Sequence, residues 1–201
     1  IHNAIDTPKF IFNPAIRNRV RKELRIENKF VVGTVARFSP QKNHEFLIDI
    51  FKEIAAKRED AVLMLVGDAA GFQDRLEMIK QKVRAHHLED KVMFLCMRKD
   101  TNELYQAMDC HVLPSKFEGL CITAIEAQAA GLPCICSDVF SPETSVTELF
   151  QTISLNASPE KWCDDIIVCG DAIRQNMQGK IVLAGYDATT EIEKIEEAYC
   201  R

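Results

Sequence analysis

The chain reads Phe30-Val31-Val32-Gly33-Thr34-Val35-Ala36-Arg37 at the point that decides its fold, a continuous apolar run that ends in a cation. A strand with one face in water alternates apolar and polar side chains, whereas a strand covered on both faces does not. Residues 30–37 therefore predict a central strand of a parallel sheet, buried between two layers of helices.

Helices and strands alternate after this run. Residues 43–57 carry one apolar stripe of a helix, with hydrophobic side chains three and four positions apart at Phe46, Leu47, Ile50, Phe51 and Ile54. The alternation continues with a strand at 61–67, a helix at 73–86, a strand at 92–95, a helix at 101–108, a strand at 110–113, a helix at 120–130 and a strand at 134–136. This order predicts an α/β fold, a Rossmann-like parallel sheet with helices on both faces.

The two ends of the chain differ from this core. We expect a linker and first helix at 1–25, the Rossmann-like core at 26–157 and covering helices at 158–201. The first helix places Arg17, Arg21 and Arg25 at i, i+4 spacing on one face, which is either a solvated surface or a contact for acidic lipid or an acceptor phosphate. Because the chain opens at Ile1 in polar sequence, we expect a piece of a longer protein.

Composition argues against several classes of function. A formal net charge of −5 gives no general attraction to nucleic acid, and no apolar run approaches the roughly 18 residues that cross a bilayer. Several of the eight cysteines lie in apolar runs, and no Cys-x2-Cys pair is present to seed a zinc site. In Cys134-Ile135-Cys136 both thiols point to the same face of a strand. We therefore expect a soluble, cytoplasmic protein with reduced, buried thiols and no metal.

Polar loops follow four of the predicted strands. They are residues 37–43, 67–71, 96–98 and 114–121. Parallel α/β sheets bind ligands beyond the carboxyl ends of their strands, so these loops are expected to share one rim. In the first loop, Arg37 and Lys42 are either surface cations or a pair that neutralises a diphosphate in place of a magnesium ion.

Two carboxylates, Glu118 and Glu126, frame the start of the helix predicted at 120–130. Free N–H groups at a helix start favour a phosphate, and a carboxylate about two turns further along can accept hydrogen bonds from neighbouring hydroxyls. One helix would then hold an anion and a polyol together. The alternative is that Glu118 is a helix-start carboxylate and Glu126 a solvated helix position.

Taken in order, these motifs resemble the retaining glycosyltransferases of family four, which have the two-domain GT-B fold and include bacterial capsule and exopolysaccharide enzymes. The resemblance spans nearly the whole chain and rests on Asn3-Ala4-Ile5-Asp6, Gly33 to Arg37, Gln41-Lys42-Asn43, Val66-Gly67-Asp68, Met108-Asp109, Leu113-Pro114-Ser115, Phe117-Glu118-Gly119 and 126–133. It implies that the chain is the C-terminal, donor-binding half of such an enzyme.

The resemblance implies an enzyme that moves a sugar from a nucleotide-diphosphate donor, a UDP-sugar, to a polysaccharide or lipid-linked acceptor, at the inner face of the membrane where the acceptor is a lipid. It implies a hexosyltransferase that needs no cofactor or metal, with its acceptor half outside these 201 residues and little activity in this chain alone. The alternatives are a degenerate module that binds or senses nucleotide sugars and, less favoured, a GT-B nucleotide-sugar epimerase. A nicotinamide oxidoreductase is disfavoured because no Gly-x-Gly-x-x-Gly loop follows the first strand.

The resemblance also implies roles for single residues. Arg37 and Lys42 would grip the diphosphate and stabilise the leaving group, while Glu118 would contact hydroxyls of the transferred sugar. The residues that would bind the rest of the nucleotide sugar are Gly119, Leu120 and Cys121 through backbone N–H groups, Glu126 at the ribose, Met97 at the base, and Arg98, which either reaches the donor or pairs with Asp100.

Three positions depart from the family, which often has glycine where this chain has Ala4, Ala69 and Cys96. Each glycine would serve a positive φ or a close approach to ligand. Asp68 either caps the following helix or orients its own loop. His44 is expected at the surface at a helix start, and His111 in the core with its polar atoms satisfied.

Overall fold

Six parallel strands form the centre of the computed structural model, which describes residues 3–199. They are Phe30–Val35 (β1), Ala61–Val66 (β2), Val92–Phe94 (β3), Cys110–Leu113 (β4), Cys134–Ser137 (β5) and Phe150–Ile153 (β6). The order across the sheet is β3-β2-β1-β4-β5-β6, so β1 lies inside it between β2 and β4. The predicted Rossmann-like parallel sheet is confirmed.

The edge strand β6 is not predicted by the sequence pattern. Gln151 and Thr152 in its centre are exposed to solvent, so the stretch has no continuous apolar run. β6 pairs in parallel with β5 along four residues. An edge strand needs burial on fewer sides than β1, and its sequence signal is correspondingly weak.

Helices cover both faces of the sheet. They are Pro14–Glu23 (α1), His44–Lys57 (α2), Gln73–Ala85 (α3), Thr101–Ala107 (α4), Ile122–Ala129 (α5), Pro159–Gly170 (α6), Gln178–Leu183 (α7) and Ala188–Tyr199 (α8). One hydrophobic cluster joins the sheet to α1, α4, α5 and α7, and the other joins it to α2, α3 and α6. In β1, Val31 and Val35 belong to the first cluster and Phe30 and Val32 to the second, which explains the uninterrupted apolar run.

Asp109, between α4 and β4, holds three elements together. Its carboxylate accepts a hydrogen bond from the Val31 N–H at 2.7 Å and one from the Arg17 guanidinium at 2.5 Å, and the Arg21 guanidinium lies 3.3 Å away. The two arginines also donate to backbone carbonyls at the C-terminal end of α4, those of Gln106, Ala107 and Met108. Asp109 thereby joins the start of β1 to α1 and α4.

These contacts correct the prediction of an outward-facing basic stripe on α1. The Arg21 side chain is 6% exposed, and burial lowers the pKa of its guanidinium. Arg25 lies beyond the end of α1 and has a positive φ. The i, i+4 spacing indicates which arginines share a face but not which way it points. Here Asp109 and the carbonyls of α4 draw Arg17 and Arg21 inward.

Arg174, between α6 and α7, caps two helices at once. Its guanidinium donates to the carbonyl oxygens of Ala130 at 2.6 Å, Tyr105 at 2.7 Å and Met108 at 2.6 Å. These carbonyls stand at the C-terminal ends of α5 and α4, where the last turn of a helix lacks its own partners. Burial lowers the pKa of Arg174 to about 9, and the helix dipoles favour its charge at this place.

Cys96, which follows β3, holds strained backbone. Its φ of 34° is positive, a region that favours glycine. The Cys96 carbonyl accepts a hydrogen bond from the Gly67 N–H at 3.0 Å, which ties this turn to the loop after β2. Of the three positions at which glycine is replaced, Ala4 and Ala69 have no positive φ.

Replacing Asp109 by Asn is expected to lower the free energy of unfolding by about 3 kcal/mol, because the buried Arg21 loses its counter-charge. Urea denaturation followed by circular dichroism measures the loss. The matched control is Asp171→Asn, since Asp171 pairs with Arg58 but is 67% exposed, and its loss should stay within about 1 kcal/mol. Equal losses in the two variants would contradict the role given to Asp109.

Cys96→Gly is expected to raise the free energy of unfolding by roughly 0.5–1 kcal/mol, because relief of the positive φ outweighs the added freedom of the unfolded chain. Ala69→Gly, at a position without positive φ, should lower it by about 0.5 kcal/mol. Calorimetric melting of both variants tests the pair of signs. A destabilised Cys96→Gly variant would mean that the turn is not strained.

Candidate functional site

A crevice opens between β1 and β4, where the strand order changes direction, and parallel α/β proteins bind ligands at such points. The loops after these two strands are bonded to each other. The Lys116 N–H donates to the Gln41 carbonyl at 2.8 Å, and the Gln41 side-chain amide donates to the Phe117 carbonyl at 2.8 Å. The Asn43 amide donates to the Pro114 carbonyl at 3.0 Å. The two loops therefore form one continuous wall.

The loop after β2 lies against the loop after β1. A Cβ at Gly67 would stand 2.0 Å from the Ala36 carbonyl oxygen, so only glycine permits this approach. The Asp68 carboxylate accepts a hydrogen bond from the Ala70 N–H at 2.9 Å, and the Asp68 carbonyl accepts one from the Phe38 N–H at 2.9 Å. Asp68 thus orients its own loop and does not cap α3.

Lys42 of the loop after β1 and Glu118 of the loop after β4 form an ion pair within the crevice wall. The Lys42 ammonium donates to Glu118 Oε1 at 2.5 Å, and the two side chains are 18% and 7% exposed. The sequence placed Lys42 and Glu118 in one site but did not predict this ion pair. Arg37 is exposed, and within the described part of the chain its side chain has no hydrogen bond or ion pair. Besides the paired Lys42, the wall thus presents exposed cations such as Arg37.

The start of α5 opens beside this ion pair. Cys121 is the N-cap residue with extended backbone, and its side chain makes no capping hydrogen bond to the helix. A Cβ at Gly119 would meet no atom within 4 Å, so there is open space beside this loop. α5 begins two residues later than predicted, and Gly119, Leu120 and Cys121 form the approach to it. Uncapped N–H groups at a helix start suit an anion.

Glu126 is half-buried one helical turn into α5, which excludes the solvated position considered for it. The Tyr105 hydroxyl donates to Glu126 Oε2 at 3.0 Å. Burial raises the pKa of Glu126, and the bond from Tyr105 and the electrostatic effect of the nearby His111 oppose that rise. The sequence does not single out Tyr105, because one aromatic residue in an apolar helix predicts only core packing. No sequence signal marks its hydroxyl.

His44 lies in the core, and the prediction of a surface histidine is wrong. Its ring is 3% exposed and stacks on Phe38 with centroids 4.7 Å apart. Burial lowers the pKa of His44 to about 4, with Lys42 adding to the effect. The signal was present in the sequence, since position 44 continues the stripe through Leu47 and Phe51 at three and seven residues. His44 is therefore neutral near pH 7.

The loop after β3 stands apart from the ion pair. The Arg98 guanidinium donates to the Asp100 carboxylate at 2.8 and 2.5 Å, so the pairing alternative holds in this structure. Met97 is 75% exposed. A cavity of about 360 Å³ lies beside this loop on the α3 side of the sheet, and Phe38, Asp68, Ala69, Leu76, Phe94 and Met97 line it. Among the residues that the structure describes, neither Arg98 nor Met97 has a hydrogen bond or ion pair with Lys42 or Glu118.

Five cysteines are buried, namely Cys110, Cys121, Cys134, Cys136 and Cys163, whereas Cys96 is exposed and Cys169 half-buried. Cys200 lies outside the described residues. The thiols of Cys134 and Cys136 are 3.6 Å apart on one face of β5, as the strand spacing predicts. His111 is satisfied in the core, with Nε2 accepting from the Val35 N–H at 3.2 Å.

Residues 3–199 contain no cluster of three or more His, Cys, Asp or Glu that could hold a metal ion. Over the same range, no helix is both long and apolar enough to span a membrane.

Two curated relatives are each 30% identical to this chain. EpsF of Bacillus subtilis (strain 168), whose name assigns it provisionally to the glycosyltransferases, matches over 176 residues, 86% of this chain and 45% of its own length. The UDP-Gal:alpha-D-GlcNAc-diphosphoundecaprenol alpha-1,3-galactosyltransferase of Escherichia coli matches over 213 residues, 99% of this chain and 53% of its own length. The chain thus spans 45% and 53% of these relatives.

Solved structures share the fold. Anabaena Alr3699/HepE in complex with UDP and glucose superposes with a TM-score of 0.82 at 26% identity, over 100% of this chain and 56% of that one. The C-terminal domain of the group 1 glycosyl transferase LpcC from Francisella tularensis superposes with a TM-score of 0.76 at 21% identity, over 92% of this chain and 100% of that domain. The sheet is therefore the one found in GT-B glycosyltransferases.

The family model of the glycosyl transferases group 1 matches residues 16–167. That range contains the crevice wall, the Lys42–Glu118 ion pair and the start of α5. This chain belongs to the glycosyl transferases of group 1.

Proposed function

We propose that this chain is the donor-binding half of a retaining glycosyltransferase, a hexosyltransferase that takes a sugar from a UDP-sugar. One observation carries the proposal: a paired lysine and glutamate stand beside the uncapped start of α5, with a half-buried carboxylate further along the same helix. This arrangement offers a cation and N–H groups to a diphosphate, and acceptor oxygens to the hydroxyls on either side of it.

The proposed roles cover the diphosphate, the transferred sugar on one side of it and the nucleoside on the other. Arg37 and Lys42 hold it and stabilise the negative charge that develops on the leaving nucleotide. Glu118 contacts hydroxyls of the transferred sugar, and the N–H groups of Gly119, Leu120 and Cys121 hold phosphate and sugar. Glu126 receives the ribose hydroxyls. Met97 borders the base, with Arg98 beside it.

Retention is proposed to follow from displacement on one face of the sugar, as in the family that the chain resembles. The departing phosphate assists removal of the acceptor proton, so no covalent enzyme nucleophile is required. Glu118 then positions the sugar and is not itself the base. Its contact with Lys42 supports this role, because the ion pair fixes the direction in which the carboxylate points.

Two relatives support the proposed substrates. Anabaena Alr3699/HepE has been solved with UDP-glucose, which supports a UDP-sugar donor. The Escherichia coli galactosyltransferase has a lipid-linked diphosphoundecaprenol acceptor in its name, which supports an acceptor of that class, used in the cytoplasm at the inner face of the membrane. We also propose a role in exopolysaccharide or capsule synthesis, as the family resemblance implies. The acceptor domain is proposed to lie outside this chain, which alone would turn over little sugar.

A degenerate sensing module is the second candidate, suggested by glycines that this chain lacks. Only Cys96 among the three substituted positions has a positive φ. The replacements at Ala4 and Ala69 therefore give little support to a sensing module. Sugar transfer by the whole protein, or nucleotide binding without any transfer, separates the two candidates. Epimerisation of a free UDP-sugar would favour an epimerase instead.

Lys42→Ala is expected to weaken UDP binding by about 10- to 100-fold, since a charge-assisted contact with the diphosphate is lost. Isothermal titration calorimetry of UDP on the 201-residue chain measures it. Lys57→Ala is the matched control, because Lys57 also pairs with a carboxylate, that of Asp164, but on the exposed surface of α2. Equal affinities in the two variants would remove Lys42 from the proposed site.

Glu118→Gln is expected to tighten UDP binding by about 3- to 10-fold, because no carboxylate then competes with the diphosphate for Lys42. The same variant should bind UDP-glucose no better than UDP, since the acceptor for the sugar hydroxyls is weakened. Calorimetric titration of both ligands gives the two ratios. Glu148→Gln, which removes an exposed ion pair with Lys180, should change neither ratio. Weaker binding of UDP itself would contradict the competition.

A further inference from the structure

Tyr105 is a fully buried residue of α4 whose hydroxyl reaches the neighbouring helix α5. The hydroxyl lies 3.0 Å from Glu126 Oε2 and 3.2 Å from the Thr123 carbonyl oxygen. A phenol has one hydrogen to donate, and an ionised carboxylate is the stronger acceptor. The bond to Glu126 therefore dominates.

The Tyr105 ring is held on several sides. It meets the His111 ring edge-on with centroids 5.5 Å apart and the Phe10 ring with centroids 6.1 Å apart. The His111 ring is itself oriented, because its Nε2 accepts from the Val35 N–H at the point where β1 and β4 separate. The hydroxyl of Tyr105 consequently has a defined position against α5.

The backbones of α4 and α5 are joined independently of this hydroxyl. Arg174 donates to the Tyr105 carbonyl at 2.7 Å and to the Ala130 carbonyl at 2.6 Å, so it links the C-terminal ends of both helices. Removing the hydroxyl alone leaves that link and the ring packing in place. The hydroxyl therefore has a function that can be separated from the fold.

Glu126 has one carboxylate oxygen in use. Oε2 accepts from Tyr105, whereas Oε1 has no hydrogen-bond partner among the residues that the structure describes. A carboxylate anchored through one oxygen presents the other in a fixed direction. That is the arrangement required to receive a hydroxyl of a bound ligand.

We propose that Tyr105 is a positioning residue that holds the Glu126 carboxylate in the orientation that receives the ribose hydroxyls of the donor. The inference rests on the proposed function, because it takes a nucleotide as the ligand. Tyr105 touches neither the sugar nor the diphosphate. It acts through Glu126.

The hydroxyl also bears on the ionisation of Glu126. Burial raises the pKa of this carboxyl, and the two titratable groups that oppose the rise are Tyr105 from α4 and His111 from β4. Without the hydroxyl one opposing contribution is lost, and the pKa of Glu126 rises further. The carboxylate form, which accepts hydroxyls, is then lost at a higher pH on acidification.

The test is UDP affinity between pH 5 and pH 8, measured by calorimetry on wild type, Tyr105→Phe and Tyr186→Phe. Tyr186 is a buried tyrosine on the same face of the sheet whose hydroxyl donates to the Glu143 carbonyl, away from the crevice. Each variant loses one tyrosine hydroxyl that donates a hydrogen bond within the protein. The Kd of each variant is divided by the wild-type Kd at the same pH. Because UDP titrates equally in both measurements, its own titration does not affect this ratio.

Tyr105→Phe should weaken UDP binding about 3- to 10-fold at pH 8, and this ratio should grow as the pH falls. Tyr186→Phe should keep a ratio near one throughout. In a Glu126→Gln background, Tyr105→Phe should have no further effect, because the residue through which it acts is already changed. A ratio for Tyr105→Phe that stays constant with pH, or effects that add in the double variant, would overturn the inference.

The experiment distinguishes failure of the proposed function from failure of the inference alone. If wild type binds no UDP at any pH, both the function and the inference are wrong. If wild type binds UDP and Glu126→Gln weakens it while Tyr105→Phe matches Tyr186→Phe, only the inference is wrong. Should Tyr105→Phe not fold, NMR of wild type decides, since a Tyr105 hydroxyl proton that follows the titration of Glu126 supports the inference and one that does not overturns it.

Discussion

The two polar backbone groups of Val31 both bind Asp109, and the rest of the structure depends on this clamp. The Val31 carbonyl accepts from the Asp109 N–H, and the Val31 N–H donates to the Asp109 carboxylate, each at 2.7 Å. β1 and β4 then pair at only two positions before they separate. His111 takes up the N–H of Val35 that this separation would leave without a partner. The clamp thus aligns two strands whose divergence forms the crevice.

The least exposed charges of the crevice have partners before any ligand arrives. Glu118 compensates Lys42, Tyr105 satisfies one oxygen of Glu126, and Arg37 remains exposed at the rim. Such a site avoids the cost of an isolated buried charge. It still offers a cation to an incoming anionic ligand. In the proposed function, a diphosphate exchanges partners within this set and needs no new charge. On donor binding, Lys42 then exchanges its contact with Glu118 for one with the diphosphate.

Much of the fold was open to prediction because burial leaves a mark in sequence. The uninterrupted run of β1 and the helical stripe of α2 report covered faces directly, whereas β6 at the edge carries little of that mark. The loops of the candidate site were located by the rule that ligands bind at the carboxyl ends of parallel strands. The partner of each charge was not predictable, because spacing does not say which way a side chain points. Arg17 turned inward to Asp109, and Tyr105 reached Glu126, through contacts between segments about 20 to 90 residues apart.

Arg174 lies beyond residue 167, where the match to the family model ends. Three carbonyls of α4 and α5 depend on its guanidinium, and both helices border the crevice. A protein trimmed to the matched range would keep the family motifs from Gly33 to 133 yet lose the hydrogen bonds from Arg174 that join α4 to α5. Residues beyond the matched range therefore contribute to the stability of the helices that border the crevice.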